Sequence, residues 1–185
     1  MKKILIGLGI ALVLIIVSFI SVYNSIVAKN ETITAKWAQV ENQLQRRNDL
    51  IPNLVNSVKG YAGHERTVFQ EVTNARSQWA KANTADEKIK AAGATDTALA
   101  RLLLVVENYP ILKADQTFLK LMDELSGTEN RIAVERMRYN ESVRDYNVTV
   151  RMFPGNLIAG MFGYKPATEY FKAEEKAKSV PEVKF

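Results

Sequence analysis

Residues 33–61, ITAKWAQVENQLQRRNDLIPNLVNSVKGY, decide the fold. Ile33, Trp37, Val40, Leu44, Ile51, Leu54, Val58 and Tyr61 recur at spacings of four and three, with Arg47 in the one open position. That spacing is the seam of a packed helix. Upstream, Ile4 to Val22 carries no charge. A bilayer core roughly 30 Å thick needs about 20 apolar helical residues, and Ile4 to Tyr23 supplies them. A cleaved signal peptide has a shorter apolar core, about 7–15 residues, and a small-x-small cleavage site. Ser21 to Lys29 offers no convincing site, so residues 1–23 read as an uncleaved transmembrane anchor. The pattern predicts one long helix, half in lipid and half in water.

Composition narrows the chemistry. The 185 residues contain no cysteine, which excludes disulfides and thiolate metal sites. The single histidine, His64, excludes the paired Glu-x-x-His motifs of a di-iron bundle. It sits beside Gly63 and Glu65 and reads as a turn or surface residue. No Ser-His-acid set is assembled, and no glycine-rich phosphate loop follows a strand. The net charge is +5. Basic and acidic residues are mixed along the chain with no concentrated basic stripe, which argues against a nucleic-acid partner. The reading is a non-enzyme with no cofactor, no metal and no catalytic residues.

The predicted fold is all-α. The transmembrane helix continues into an antiparallel four-helix bundle of two long and two short helices over 24–165, followed by an extended tail over 166–185. The first soluble helix runs to about Tyr61, with Pro52 inside it and a turn at Gly60 and Gly63. The second begins near Glu65, with Val68, Val72, Ala75 and Trp79 inward. The third opens on a capping box, Thr84-Ala-Asp-Glu87, carries Ile89, Ala92, Leu99, Leu103 and Val106, and closes at Pro110. The fourth starts near Asp115, and its seam runs from Phe118 through Ile132, Tyr139, Val143, Tyr146 and Val150 to Phe153. Short connections make neighbours antiparallel. The tail's last apolar residues, Val183 and Phe185, are candidates for docking on a groove or for a frayed end.

Three seam positions are polar: Arg47, Glu129 and Arg136. With antiparallel long helices, residue 24 lies level with about residue 153. Arg47 then falls level with Glu129, and Glu41 with Arg136. Both are opposite-charge matches, so two cross-bundle ion pairs are expected, with fixing of register as their role. The same register sets Pro52 near Gly127, a place for close helix approach. Two further surfaces are candidates. Leu157, Ile158, Met161 and Phe162 form an apolar turn where the fourth helix returns to the membrane, suited to the headgroup boundary or to closing the bundle. Val27, Ile33, Trp37, Val143 and Val150 lie where the short helices leave the long ones uncovered, and an open apolar stripe marks an association surface.

Residues 43–65, QLQRRNDLIPNLVNSVKGYAGHE, resemble the signature of the LemA family of bacterial membrane proteins. Glu107-Asn-Tyr-Pro110, Leu112-Lys-Ala114, Thr128-Glu-Asn-Arg-Ile132, Tyr139-Asn140, Tyr146-Asn147 and Tyr23-Asn24 extend the resemblance over nearly the whole chain. Asn48 departs from the acidic or small residue usual after Arg-Arg. The resemblance implies a single N-terminal anchor and a helical bundle without a defined activity, and links to membrane organisation, including magnetosome membranes. The expected site is the bacterial cell (inner) membrane, crossed once. Lys2, Lys3 and the amino group outweigh Lys29 with Glu31, so the positive-inside rule places the domain outside the cytoplasm; the alternative is a cytoplasmic domain. The expected partners are membrane lipid, further copies of the chain and other membrane proteins. The leading function is a scaffold or adaptor that self-associates laterally. The runner-up is a ligand- or peptide-binding sensor subunit.

Overall fold

The computed structural model describes residues 2–172. Six helices follow one another: α1 (Lys2–Lys59), α2 (Arg66–Lys81), α3 (Ala85–Val106), α4 (Pro110–Lys113), α5 (Gln116–Arg151) and α6 (Gly155–Phe162). Among the described residues there is no strand.

α1 is one continuous helix of 58 residues and carries Pro52 within it. Proline lacks the N–H that would reach the Asn48 carbonyl, yet the apolar seam resumes in phase at Leu54 and Val58, and tertiary packing there holds the helix through the missing bond. Its first part is long and apolar enough to cross a membrane. Residues 2–18 are exposed throughout.

α1 and α5 lie side by side and run in opposite directions. Lys29 Nζ donates to Thr149 Oγ1 at 2.7 Å, the Trp37 and Tyr139 rings are 5.4 Å apart, and Arg131 Nε donates to Gln43 Oε1 at 3.3 Å. Position rises on one helix as it falls on the other. α2 and α3 form a shorter hairpin, tied on its surface by Arg101 and Glu71 at 2.6 Å. α3 begins with the capping box: the Glu87 N–H donates to Thr84 Oγ1, and Glu87 accepts from the Thr84 N–H. Asp115 caps α5 by accepting from Thr117 and Phe118 N–H, both at 2.9 Å.

The core comes in three sections. The distal section packs Ile51, Leu54 and Val58 of α1 with Phe69 and Val72 of α2, Leu99 and Leu102 of α3, Leu112 of α4, and Phe118 and Leu125 of α5. The middle joins Val40 and Leu44 to Trp79, Ala92, Ile132, Tyr139 and Val143. The third, beside the apolar segment, holds Ile26, Tyr146, Val150, Ile158 and Ala159. Several expectations change. A one-turn helix, α4, stands between α3 and α5, because Pro110 suits a first helical position. α5 ends at Arg151, so Phe153 leaves the seam and is 79 % exposed. Residues 155–162 are a helix rather than a turn. A side chain at Gly127 would meet only the Arg131 guanidinium, so no close helix approach occurs there. Residues 166–172 carry no regular secondary structure and pack against α1 and α5 rather than trailing free, with a tight turn where the Tyr170 N–H donates to the Thr168 carbonyl. The suggested docking of Val183 and Phe185 lies outside the described residues.

Candidate functional site

The polar seam gathers two carboxylates, Asp96 and Glu129, around one guanidinium. Arg47 is 2 % exposed. Its Nη1 contacts Asp96 Oδ1 and lies 3.2 Å from Glu129 Oε1; its Nη2 donates to the Ala92 carbonyl at 3.2 Å. One side chain thus links α1, α3 and α5. The carboxylates keep water on their far sides, with Asp96 29 % and Glu129 41 % exposed. That arrangement lowers the desolvation cost that a fully enclosed pair would carry.

Glu41 and Arg136 do not meet each other. Glu41 pairs with Lys88, which also lies 5.3 Å from the Trp79 ring. Arg136 lies 3.5 Å from Asp96 Oδ2, and its guanidinium sits over the Phe171 ring at 5.0 Å. The alignment of two long helices left out the charges α3 brings between them. Asp96 carried a signal, since it stands four residues after Ala92 and three before Leu99, on the seam of α3 itself.

At the other end, α6 lies against the apolar part of α1. Phe162 sits 4.6 Å from the Tyr23 ring and 6.2 Å from Phe19, centroid to centroid. Ile158 is buried against Ile26, Tyr146 and Val150. Leu157 and Met161 are exposed and line an open apolar groove with Phe153, Leu14, Ile15 and Phe19. Gly155 permits the tight entry to α6, where any Cβ would collide with the Thr149 carbonyl. Met152 to Tyr164 carries no charge, and Arg151 and Lys165 bracket it.

The five residues expected to form an association stripe divide. Val27, Ile33 and Trp37 are half-buried. Val143 and Val150 are buried, at 0 % and 5 % exposure, because α5 turns this face onto α1. Residues 164–172 then cross the groove between the two helices as a strap. Asn147 Nδ2 donates to the Ala167 carbonyl, and the Ala167 N–H donates to Asn147 Oδ1, both at 2.8 Å. Asn140 does the same with Phe171, at 2.9 and 3.0 Å. The Tyr146 hydroxyl donates to the Lys165 carbonyl at 3.0 Å. Phe171 stacks on Trp37 at 5.9 Å and meets Tyr139 edge-on at 5.7 Å. Burial, and then the Glu169 carboxylate on the strap, push the Tyr139 phenol up to about 12. The strap was unread in the sequence; its signal was the repeated Tyr-Asn pair, seven residues apart on one face of α5.

His64 is exposed in the turn before α2. Among the described residues no group of histidine, cysteine and carboxylate side chains is placed to hold a metal.

These features define an all-helical protein with one apolar N-terminal helix and an elongated packed domain. Residues 36–185 match the profile of the LemA family, so the chain belongs to that family. Magnetosome protein MamQ 2 and Magnetosome protein MamQ 1 of Paramagnetospirillum magneticum are each 30% identical to it over 199 residues, covering 91% of this chain and 72% of the relative. Magnetosome protein MamQ of Magnetospirillum gryphiswaldense is 29% identical over 188 residues, covering 88% and 69%. The polar seam, α6 and the strap all fall inside the matched range.

Proposed function

We propose that the chain is a non-enzymatic scaffold or adaptor, anchored by a single pass in the bacterial inner membrane, that self-associates laterally and helps organise that membrane. Its water-exposed part works as an antiparallel four-helix bundle with two long and two short helices. The observation that carries this reading is the double apolar face at one end. The uncharged N-terminal part of α1 and the uncharged segment around α6 lie level with each other, with Tyr23, Phe162 and Tyr164 clustered where they meet. Aromatic residues of this kind favour the membrane–water boundary. Arg151 and Lys165 then stand at headgroup level, and Leu157 and Met161 face acyl chains. The N-terminal lysines favour an extracytoplasmic domain. The relatives are magnetosome proteins, which agrees with a part in organising membrane rather than in turning over a metabolite.

A spin label at Met161, in the full chain in bilayers, tests the seat of α6. Strong relaxation by oxygen and weak relaxation by a water-soluble nickel complex are expected. Full accessibility to the nickel complex overturns the membrane contact. Cross-linking in intact membranes at native expression is expected to capture dimers or larger species, and capture of monomer alone overturns self-association.

A further inference from the structure

We propose that the groove between α1 and α5 is a binding site for a non-helical chain segment, and that the strap of a second copy occupies it in exchange for the chain's own. This inference rests on the self-association proposed above and names the contact through which it occurs.

The groove is built to read backbone. Asn140 and Asn147 lie two helical turns apart on α5, and each offers its amide as a donor–acceptor pair to the N–H and C=O of one strap residue. A side-chain amide used in this way pairs with backbone as a neighbouring strand would, so it holds non-helical chain largely irrespective of its side chains. Specificity comes from one end. Phe171 fills a box made by Trp37, Tyr139 and the Arg136 guanidinium. The site therefore recognises an aromatic residue four places beyond a small one, as Phe171 follows Ala167.

Two observations set the groove apart from a passive contact. Asn147 is only 6 % exposed, and its amide is satisfied wholly by the strap, through Ala167 and the Tyr170 hydroxyl. Emptying the groove strips that amide of its protein partners and leaves it to water, so α5 presents a donor and an acceptor already positioned for strap backbone. The strap itself is held lightly. No residue of 164–172 is fully buried; Ala167, Tyr170 and Phe171 are half-buried, and Thr168 and Glu169 are exposed. Segments with so little burial open locally at far lower cost than the whole fold.

A second copy is the occupant of choice because the chain's own segment matches the groove in register. Closed and exchanged forms make the same contacts and differ at the hinge, the low-cost route to a swapped dimer. Gly163, at φ 76°, supplies that hinge between α6 and the strap. Anchoring in one membrane plane keeps copies close, which raises the effective concentration of the second strap.

The test uses the full chain in heavy- and light-isotope forms, mixed equally in detergent and co-reconstituted in bilayers. An amine cross-linker then joins lysines beside the site, Lys36 on α1 and Lys172 on the strap. Exchange makes roughly half of the Lys36–Lys172 links heavy–light, as random pairing of swapped copies requires. Combining Asn140→Ala with Asn147→Ala lowers links of both kinds roughly thirtyfold, since two clamps of about 1 kcal/mol each are removed. If Lys36–Lys172 links are all within one isotope while heavy–light links appear at Lys113 or Lys120, copies associate without exchange and this inference falls alone. If no heavy–light link appears anywhere, it falls together with lateral association. The wild-type isotope comparison decides even where the double variant folds poorly.

Discussion

The distal and membrane-facing ends of the molecule close their cores by different means. At the distal end α1, α2, α3 and α5 converge, and Leu102, Leu112 and Val58 reach essentially zero exposure through side-chain packing alone. Toward the membrane α2 and α3 have ended, and only α1 and α5 continue. There the gap is filled by α6 and by a strap tied through asparagine amides and an aromatic box. Apolar packing is undirected and holds wherever enough surface is removed from water. The amide clamps are directional and few, so this end can open locally while the other holds the fold.

Leu102→Ala puts the largest strain on that contrast. A fully buried leucine lost from the distal core is expected to cost about 3 kcal/mol, read as a fall in the midpoint of urea denaturation. A negligible shift would move the weight of stability toward the membrane end. Arg47→Met comes next. It is expected to cost less than the roughly 3–5 kcal/mol of a broken, enclosed pair, because Asp96 and Glu129 can rehydrate. A larger loss than that of Leu102→Ala would make the seam, rather than the apolar core, the main tie between α1, α3 and α5. Asn147→Ala is expected to remove about 1–2 kcal/mol from the strap alone. Faster hydrogen exchange at residues 166–172, with the global midpoint little changed, is the signature. A matching fall in the global midpoint would show the two ends to be one cooperative unit.

The smallest effect is one of pH, and its sign differs between regions. Backbone N–H groups of Asn83 and Thr84 hold Glu87 below the usual carboxylate range, and those of Phe118 and Thr117 do so for Asp115. Carboxylates depressed in the folded state contribute stability that is present above about pH 4 and lost as pH falls through the lowered values. Tyr139 is raised instead, so its contribution is complete below about pH 10 and is lost as pH rises toward about 12. Acid should therefore loosen the starts of α3 and α5, seen as lost helicity, and alkali the strap, seen as tyrosinate absorbance. Glu169→Gln should move that absorbance step to lower pH.

Much of this contrast was legible in the residues. Heptad spacing located α1 and α5, and their antiparallel alignment set Arg47 level with Glu129, because both quantities depend only on helical rise. The partners of Glu41 and Arg136 were not legible, because they depend on how α3 lies between the long helices, and a two-helix alignment carries no such information. The strap was hidden for another reason. An irregular segment has no period, and its docking depends on asparagines whose role appears only once the opposing backbone is in place. Val143 and Val150 were read as open because the strap and the turn of α5 were both missing from the picture.

One consequence of α1 follows from its continuity. At 1.5 Å per residue its 58 residues span about 87 Å, with no break between the apolar segment and the distal packing. On the proposed anchoring of its lower part in a bilayer, the helix is a stiff lever. A segment longer than the local hydrocarbon thickness relieves the mismatch by leaning. A lean of about 10° over the roughly 54 Å of helix beyond Tyr23 carries the turn at Gly60 sideways by about 9 Å. A helix so anchored would convert bilayer thickness into the position of the protein's far tip.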